Sequence, residues 1–279
     1  MSTVPAATSA TKKSRPQITL EVVRREQLSP HMVRIVAGGD GFADFVNNGF
    51  VDRYVKIAFP QPGVAYPEPL DLWTIRETMP REQWPFTRTY TLRWVDPAAR
   101  ELAIDFVVHG DEGLAGPWAA TAEPGDTLTF TGPGGAYNPD PEADWYLFAG
   151  DEAALPAIAA SIESLPADAV GLAFLEVESD AGIQSIAAPA GVTVAWLARN
   201  GAAAGDQGLL VAAVAGAQWP AGTVDVFAHG ERGAMKALRD IFFVQRGLER
   251  RQVSLSGYWA RGRVEDEFQA EKKLPVGQI

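Results

Sequence analysis

The chain has no cysteine at all. That single absence excludes disulfides, thiolate zinc sites, iron–sulfur clusters and thiol nucleophiles. Histidine is nearly as scarce, the imidazoles being His31, His109 and His229. A chain with this inventory that performs redox chemistry must borrow an organic cofactor. Basic residues are in deficit, 24 Lys and Arg against 35 Asp and Glu, for a net charge of −11. A nucleic acid or an anionic membrane as main partner needs a broad basic face, so neither is expected. No run of 18 apolar residues occurs, which argues against a membrane span or stable membrane association. The opening MSTVPAATSATKKSR lacks the apolar stretch of a secretory signal, so residues 1–17 read as a disordered tail and the cytoplasm as the default location.

What is present is enough for a sizeable core: 279 residues, 47% of them hydrophobic. A length near twice the usual domain size predicts two domains. The first, 18–139, shows six short alternating segments separated by Gly, Pro and Asp: ITLEVVRREQL, HMVRIVAGG, RYVKIAFP, TRTYTLRWVD, ELAIDFVVHG and TLTFTGPGG. Period-two alternation with turn residues between predicts a small antiparallel barrel. The proline-rich stretch 61–86 has no clear period and reads as a long surface loop. The second domain, 140–279, alternates apolar strands (WYLFAGD, GLAFLEVE, TVAWLAR, VDVFAHG, VSLSGYW) with helical runs. Strands apolar on both faces and alternating with helices predict a parallel sheet covered on two sides.

Four segments carry chemistry. In Arg88-Thr89-Tyr90-Thr91 the strand period puts Arg88 and Tyr90 on one face and the threonines on the other. A guanidinium forks onto phosphate, a phenol covers a planar ring, and hydroxyls meet ring heteroatoms, which is what a flavin nucleotide needs; an ordinary cross-strand Arg–Tyr pair is the plain alternative. Asp105-Phe-Val-Val-His109-Gly110 precedes Gly113-Leu114-Ala115-Gly116-Pro117-Trp118 and a short alanine helix. Small residues at a helix start let N–H groups approach a pyrophosphate. Phe148-Ala-Gly150-Asp151-Glu152-Ala153 turns from strand to helix, where an open parallel sheet binds its ligand, although Asp151 and Glu152 also suit a helix cap. Gly257-Tyr258-Trp259-Ala260-Arg261-Gly262 ends the last strand with two aromatics beside Arg261 and Arg263.

Together with L-S-P-H-M-V-R at 28–34 and Y-V-K-I-A-F-P at 54–60, these segments resemble the siderophore-interacting protein family over nearly all of 18–270. The family comprises FAD-containing ferric-siderophore reductases of the ferredoxin-reductase superfamily. The resemblance implies a β plus α/β fold: an N-terminal six-stranded antiparallel FAD-binding barrel followed by a C-terminal parallel-sheet α/β domain for the nicotinamide nucleotide. It implies that Arg88, Thr89, Tyr90 and Thr91 hold the flavin, with Asp105, Val107, His109, Leu114, Ala115, Gly116 and Trp118 flanking its ribityl and pyrophosphate. Gly150, Asp151, Glu152, Ala153, Gly230 and Glu231 would follow the nicotinamide nucleotide, and Tyr258 and Trp259 would close the far side of the ring. Two departures stand out. Gly113-Leu114-Ala115-Gly116 replaces the usual Gly-Pro-Ala-Ser, and Ala153 replaces a usual Thr, so two hydroxyl contacts are missing.

The expected substrate is a ferric siderophore, which brings its own iron on hard oxygen ligands that bind Fe(II) far less well. A nicotinamide gives two electrons and iron takes one, so a flavin is the natural converter. No side chain is assigned as catalytic acid or base, and no resident metal is expected. Arg261 and Arg263 are first candidates to hold an anionic chelate, with Lys56 and Arg53 second. Glu176, Glu178 and Asp180 at the end of the second parallel strand favour NADH over NADPH, unless Arg199, Arg232 and Lys236 reach across. Two other readings stay open: a flavin reductase serving a protein partner, and a non-catalytic module that binds ferric siderophore.

Overall fold

The computed structural model describes residues 16–108, 110 and 113–279. Residues 1–15 of the expected tail, and His109, lie outside the described residues. Six strands, β1 (Gln17–Ser29), β2 (Met32–Gly38), β3 (Tyr54–Phe59), β4 (Phe86–Asp96), β5 (Glu101–Val107) and β6 (Thr127–Gly134), close into an antiparallel barrel in the order β1-β2-β5-β4-β3-β6. Alternation sets its interior: Ile18, Leu20, Val33, Ile35, Val55, Ile57, Leu102, Ile104 and Phe130 turn inward from successive strands. Gln17 already belongs to β1, and its side chain bonds the carbonyl of Leu70 and the N–H of Leu72, so the barrel starts one residue before the expected boundary.

The stretch 61–86 corrects the reading as a surface loop. It contains α1 (Leu72–Thr78), whose first-turn N–H groups of Trp73 and Thr74 donate to Asp71 at 2.9 and 3.1 Å. Leu72 and Ile75, three apart on one helix face, pack with Ala58, Tyr66, Leu70, Met79 and Trp84 into a small separate core on the outer barrel wall. The prolines obscure the period without preventing one short helix. A second short helix, α2 (Ala115–Thr121), follows β5 and sets Trp118 against Phe59 and Phe106 at the end of the barrel.

The second unit is a parallel sheet of β7 (Trp145–Gly150), β8 (Val170–Val177), β9 (Gly191–Ala198), β10 (Val224–Glu231) and β11 (Val253–Trp259), in the order β11-β10-β7-β8-β9. Helices α3 (Leu155–Glu163), α4 (Gly208–Gly216) and α5 (Arg232–Arg239) make three of its crossovers. The β8–β9 connection contains only a 3₁₀ turn at Asp180–Gly182. Cores form on both sheet faces, one around Phe148, Ile158 and Phe227, the other around Leu147, Val226 and Phe242. The first also takes in Met32, Leu28 and Val107 from the barrel, so the two units share apolar surface. Arg93 of β4 forks onto Glu163 of α3 at 2.6 and 2.7 Å, and His31 pairs with Glu178 across the same junction. A last helix, α6 (Glu265–Glu271), returns to the junction with Phe268 buried beneath it. Among the described residues no helix is long and apolar enough to cross a membrane.

Candidate functional site

The register of β3 on β4 pairs Tyr54 with Thr91, Val55 with Tyr90, Lys56 with Thr89 and Ile57 with Arg88. Arg88 and Tyr90 therefore share the side of Val55 and Ile57, while Thr89 and Thr91 share the side of Tyr54 and Lys56. This is the expected alternation. Thr89, Tyr90 and Thr91, with Asp105 and Val107 of β5, line one wall of a cleft of about 350 Å³; Ala153, Pro156, Ser256 and Tyr258 line the other. Tyr90 lies 4.4 Å from the ring of Phe106. Arg88 donates to its neighbour's carbonyl, Thr87 O, at 2.9 Å, and stands 3.6 Å from Asp266 of α6. Burial raises the Tyr258 phenol well above its ordinary value, and Asp52 adds to the effect while a hydrogen bond with Thr91 opposes it.

Asp105 has a structural partner. Its two oxygens accept from Arg34 at 2.6 and 2.8 Å, fixing β5 to β2 at the cleft floor. Gly116 lets α2 lie against β5: a Cβ there would stand 3.2 Å from Val107 O. Leu114, at the start of α2, gives the helix no side-chain cap.

On the sheet side, strand order reverses between β7 and β10, and Gly150 faces His229 there in register. Ligands of open parallel sheets lie at such a switch point, beyond the strand ends. Gly150 has no room for a side chain, since a Cβ would stand 2.4 Å from His229 O. Gly230 has φ +152°, and a Cβ would meet the Asp151 carboxylate at 2.8 Å. Asp151 unites the three strand ends. One oxygen accepts from Ala153 N–H at 3.0 Å and Ala154 N–H at 3.3 Å; the other accepts from Glu231 N–H and Trp259 Nε1, both at 2.8 Å. Burial raises its carboxyl above the ordinary value, against the pull of those four donors. Glu231 caps α5 through Ala234 N–H and also accepts from Arg261 N–H. The plain alternative for the G-D-E turn, a helix cap, does not hold as such: the N-cap of α3 is Ala154, without a side-chain cap, and Asp151 instead secures the turn before it and ties the strand ends.

A second cleft, of about 360 Å³, opens beside the first and is lined by Val107, Asp151, Glu152, Ala153, Arg199, Ala204 and Trp259. Arg199 bonds Glu152 at 2.9 Å and Glu176 at 3.3 Å, and its Nε is buried without a protein partner. Burial pushes Glu176 up to about 7, Arg199 opposing. Val107 and Ala153 belong to both clefts, which therefore share a wall.

The four proposed substrate cations separate. Lys56 lines the first cleft. Arg263 is held by Glu271 at 2.7 Å and by the carbonyl of Gly262, Arg53 bonds Asn47 at 3.0 Å, and Arg261 is exposed. None of these three is among the residues lining either cleft, so of the four only Lys56, a second choice, faces one. Lys272 was missed by sequence reasoning. It sits just past α6 and lines the first cleft with Glu265 and Gln269. Burial lowers its pKa; Glu265 opposes this and Lys56 adds to it, which sets the two lysines against each other across the cleft. Its sequence signal was the EFQAEKK run, where a single Phe among charges marks a short helix with one buried point. Among the described residues no cluster of three or more His, Asp or Glu is placed to hold a metal ion.

The first cleft suits a flavin ring by the phenol of Tyr90 and the flanking hydroxyls of Thr89 and Thr91; Arg88, on the same strand, and Leu114, Ala115, Gly116 and Trp118 of the α2 start are not among the residues that line it. The second cleft suits a nicotinamide nucleotide by its place beside the switch point of β7 and β10 and by the unpartnered Arg199 Nε. A closed antiparallel barrel feeding a five-stranded parallel sheet, with paired clefts at their junction, defines the ferredoxin-reductase class. Phthalate dioxygenase reductase, at 12% identity and TM-score 0.60 over 90% of this chain and 70% of that one, has the same fold. Within the class the chain belongs to the siderophore-interacting protein family: residues 21–137 match the siderophore-interacting FAD-binding domain and residues 143–262 the siderophore-interacting protein domain. A siderophore utilization protein from T. fusca is similar at 41% identity and TM-score 0.78, covering 89% of this chain and 94% of that one. Ferric vibriobactin reductase ViuB of Vibrio cholerae is 32% identical over 93% of this chain and 95% of its own length. The NADPH-dependent ferric-chelate reductase of Escherichia coli is 32% identical over 86% and 91%.

Proposed function

We propose that this protein is an FAD-containing, NAD(P)H-dependent ferric-siderophore reductase, releasing Fe(II) for assimilation in the cytoplasm. The observation that carries the reading is the shared wall of Val107 and Ala153 between the cleft of the barrel strands and the cleft at the switch point of the sheet. Residues 17–139 form the flavin half and 140–279 the nucleotide half. Bound there, FAD would supply the conversion between a two-electron hydride donor and a one-electron ferric acceptor. The chain's own residues bind and orient. Tyr90 and Tyr258, which line the cleft with Thr89 and Thr91, would hold the flavin ring between phenols and hydroxyls, and Arg88 would supply the charge for its phosphate. Asp151 keeps Trp259 and the β10 end in place, so the nucleotide meets a preset surface. Lys56 and Lys272 draw an anionic chelate to the barrel side of the same cleft, against the protein's overall negative charge.

For the nucleotide we favour NADH. The cations near the strand ends already have partners: Arg199 lies between two glutamates, Arg232 bonds Glu271 at 2.5 Å, and Lys236 bonds Val276 O at 2.6 Å. The E. coli relative is named for NADPH, so the ratio of kcat/KM for the two nucleotides decides; a preference for NADPH overturns this choice. The reductase reading itself is tested by colour. The purified protein is expected to be yellow, to bleach with NADH in the absence of air, and to recolour with a ferric chelate. A colourless protein that takes up no FAD would sink it in favour of a binding module.

A further inference from the structure

The small core built by 61–86 encloses a third pocket, of about 200 Å³, on the outer barrel wall. Its floor is Ala58 and Thr87, from β3 and β4; Ile75 and Arg76 of α1 form one side, and Trp84 another. Lys56 lines this pocket and the flavin-side cleft alike, so the two are joined along β3.

The pocket is built rather than incidental. Trp84 Nε1 donates to Met79 O at 3.0 Å, which holds the indole, and Gln61 Nε2 donates to the Trp84 backbone carbonyl at 2.6 Å, which holds the main chain beneath it. Asp71 caps α1, and Gln17 of β1 ties its entry to the barrel. The Arg76 guanidinium lies 4.9 Å from the Trp73 ring and 5.9 Å from the Trp84 ring. Among the described residues lining the pocket there is no carboxylate, although the chain carries 35 acids. Two cations, an indole and a proline with no acid among them recognise a group that is both planar and negative. The volume is below the roughly 300–1,000 Å³ of a site for a whole drug-sized ligand, so it takes one arm of a larger molecule.

We propose that this pocket binds an anionic aryl arm of the ferric chelate, a catecholate or similar phenolate, while the iron stands beyond Lys56 in the adjoining cleft. The proposal rests on the reductase reading and adds to it a substrate class and a site formed by a segment peculiar to the barrel wall. An aliphatic hydroxamate arm offers no π face and little charge, so it gains nothing here.

Two variants test it in the full-length, FAD-loaded protein: Arg76→Gln, at an exposed position, and Ala58→Leu, which fills the floor. Reduction is followed with the ferric complexes of 2,3-dihydroxybenzoate and of acetohydroxamate. In each variant KM for the dihydroxybenzoate complex is expected to rise about tenfold, with kcat and the rate of FAD reduction by NADH unchanged and KM for the acetohydroxamate complex within about twofold. An equal rise for both complexes, or no rise for either, overturns the proposal. If the wild-type protein reduces neither complex, the reductase reading fails instead. Calorimetric titration with metal-free 2,3-dihydroxybenzoate then decides the pocket alone: binding weakened about tenfold by Arg76→Gln supports it, and no binding, or binding that Arg76→Gln leaves unchanged, overturns it.

Discussion

The two halves of the junction are organised differently. On the sheet side most polar groups have protein partners: Asp151 accepts four hydrogen bonds, Arg199 lies between two glutamates with its Nε left over, and Glu231 joins α5 to the segment just past β11. On the barrel side the cleft is lined by the outward-facing Thr89 and Lys56, while Arg88, on the side of Ile57, meets the Thr87 carbonyl, the Phe86 ring at 5.8 Å and an exposed aspartate 3.6 Å away. The comparison teaches that one half is a prebuilt frame while the other presents donors and cations from a strand whose fold is secured by its opposite face. Substitutions in the frame should therefore act on stability, and those on the barrel wall on ligand binding.

The largest effect is expected at Asp151. Asp151→Ala leaves four donors without their acceptor, three of them backbone N–H groups, and should destabilise the protein by about 3–5 kcal/mol, as loss of a buried charged partner does. Denaturant unfolding followed by tryptophan fluorescence measures it; a loss under about 1 kcal/mol would remove the frame from the comparison.

Arg88→Ala should do the converse. Loss of a charge-assisted phosphate contact is worth about 2 kcal/mol, so FAD should bind at least about tenfold more weakly while the unfolding midpoint of the apoprotein stays put. Flavin absorbance after dialysis provides the readout, and undiminished flavin content would take Arg88 out of the site.

A smaller effect is a pH slope from Glu176, buried and pushed up to about 7 from 4.5. Between those values the folded protein keeps a proton that the unfolded chain has lost, so this group lowers stability as pH rises through that window. Glu176→Gln should flatten the slope and gain about 1–2 kcal/mol at pH 8 relative to pH 4.5. His229 runs the opposite way. Burial, helped by Lys272, lowers it to about 3, so its contribution is complete above 6.5 and fades as pH falls toward 3. A Glu176→Gln profile parallel to wild type would contradict the assignment.

The smallest effect separates the cations. Lys56→Gln should raise KM for an anionic ferric chelate about threefold to tenfold at low salt, and Arg261→Gln with Arg263→Gln less than about twofold, because Arg263 is already paired and neither lines a cleft. The reverse ranking would return the substrate to the β11 end.

Much of this molecule is determined by sequence alone. Period-two segments and their turns define six barrel strands, because each strand has one face in the core and local alternation records it. The apolar strands and helical runs after Trp145 define a parallel sheet for the same reason. Arg88-Thr89-Tyr90-Thr91 is legible because strand geometry fixes which side chains share a face, whereas Gly150 and Gly230 are named by resemblance and only the fold shows why, His229 O and Asp151 leaving no room for a side chain. Tertiary structure decided what depends on distant partners. The helix inside 61–86 rests on a cap and two apolar side chains that count only when Ala58 lies beneath them. Asp105 became a structural anchor because Arg34, 71 residues away, meets it. Lys272 entered the cleft, and Arg261 and Arg263 did not, because α6 folds back over Phe268. Local spacing encodes local faces, whereas the partner of a charged side chain is chosen by how the chain returns.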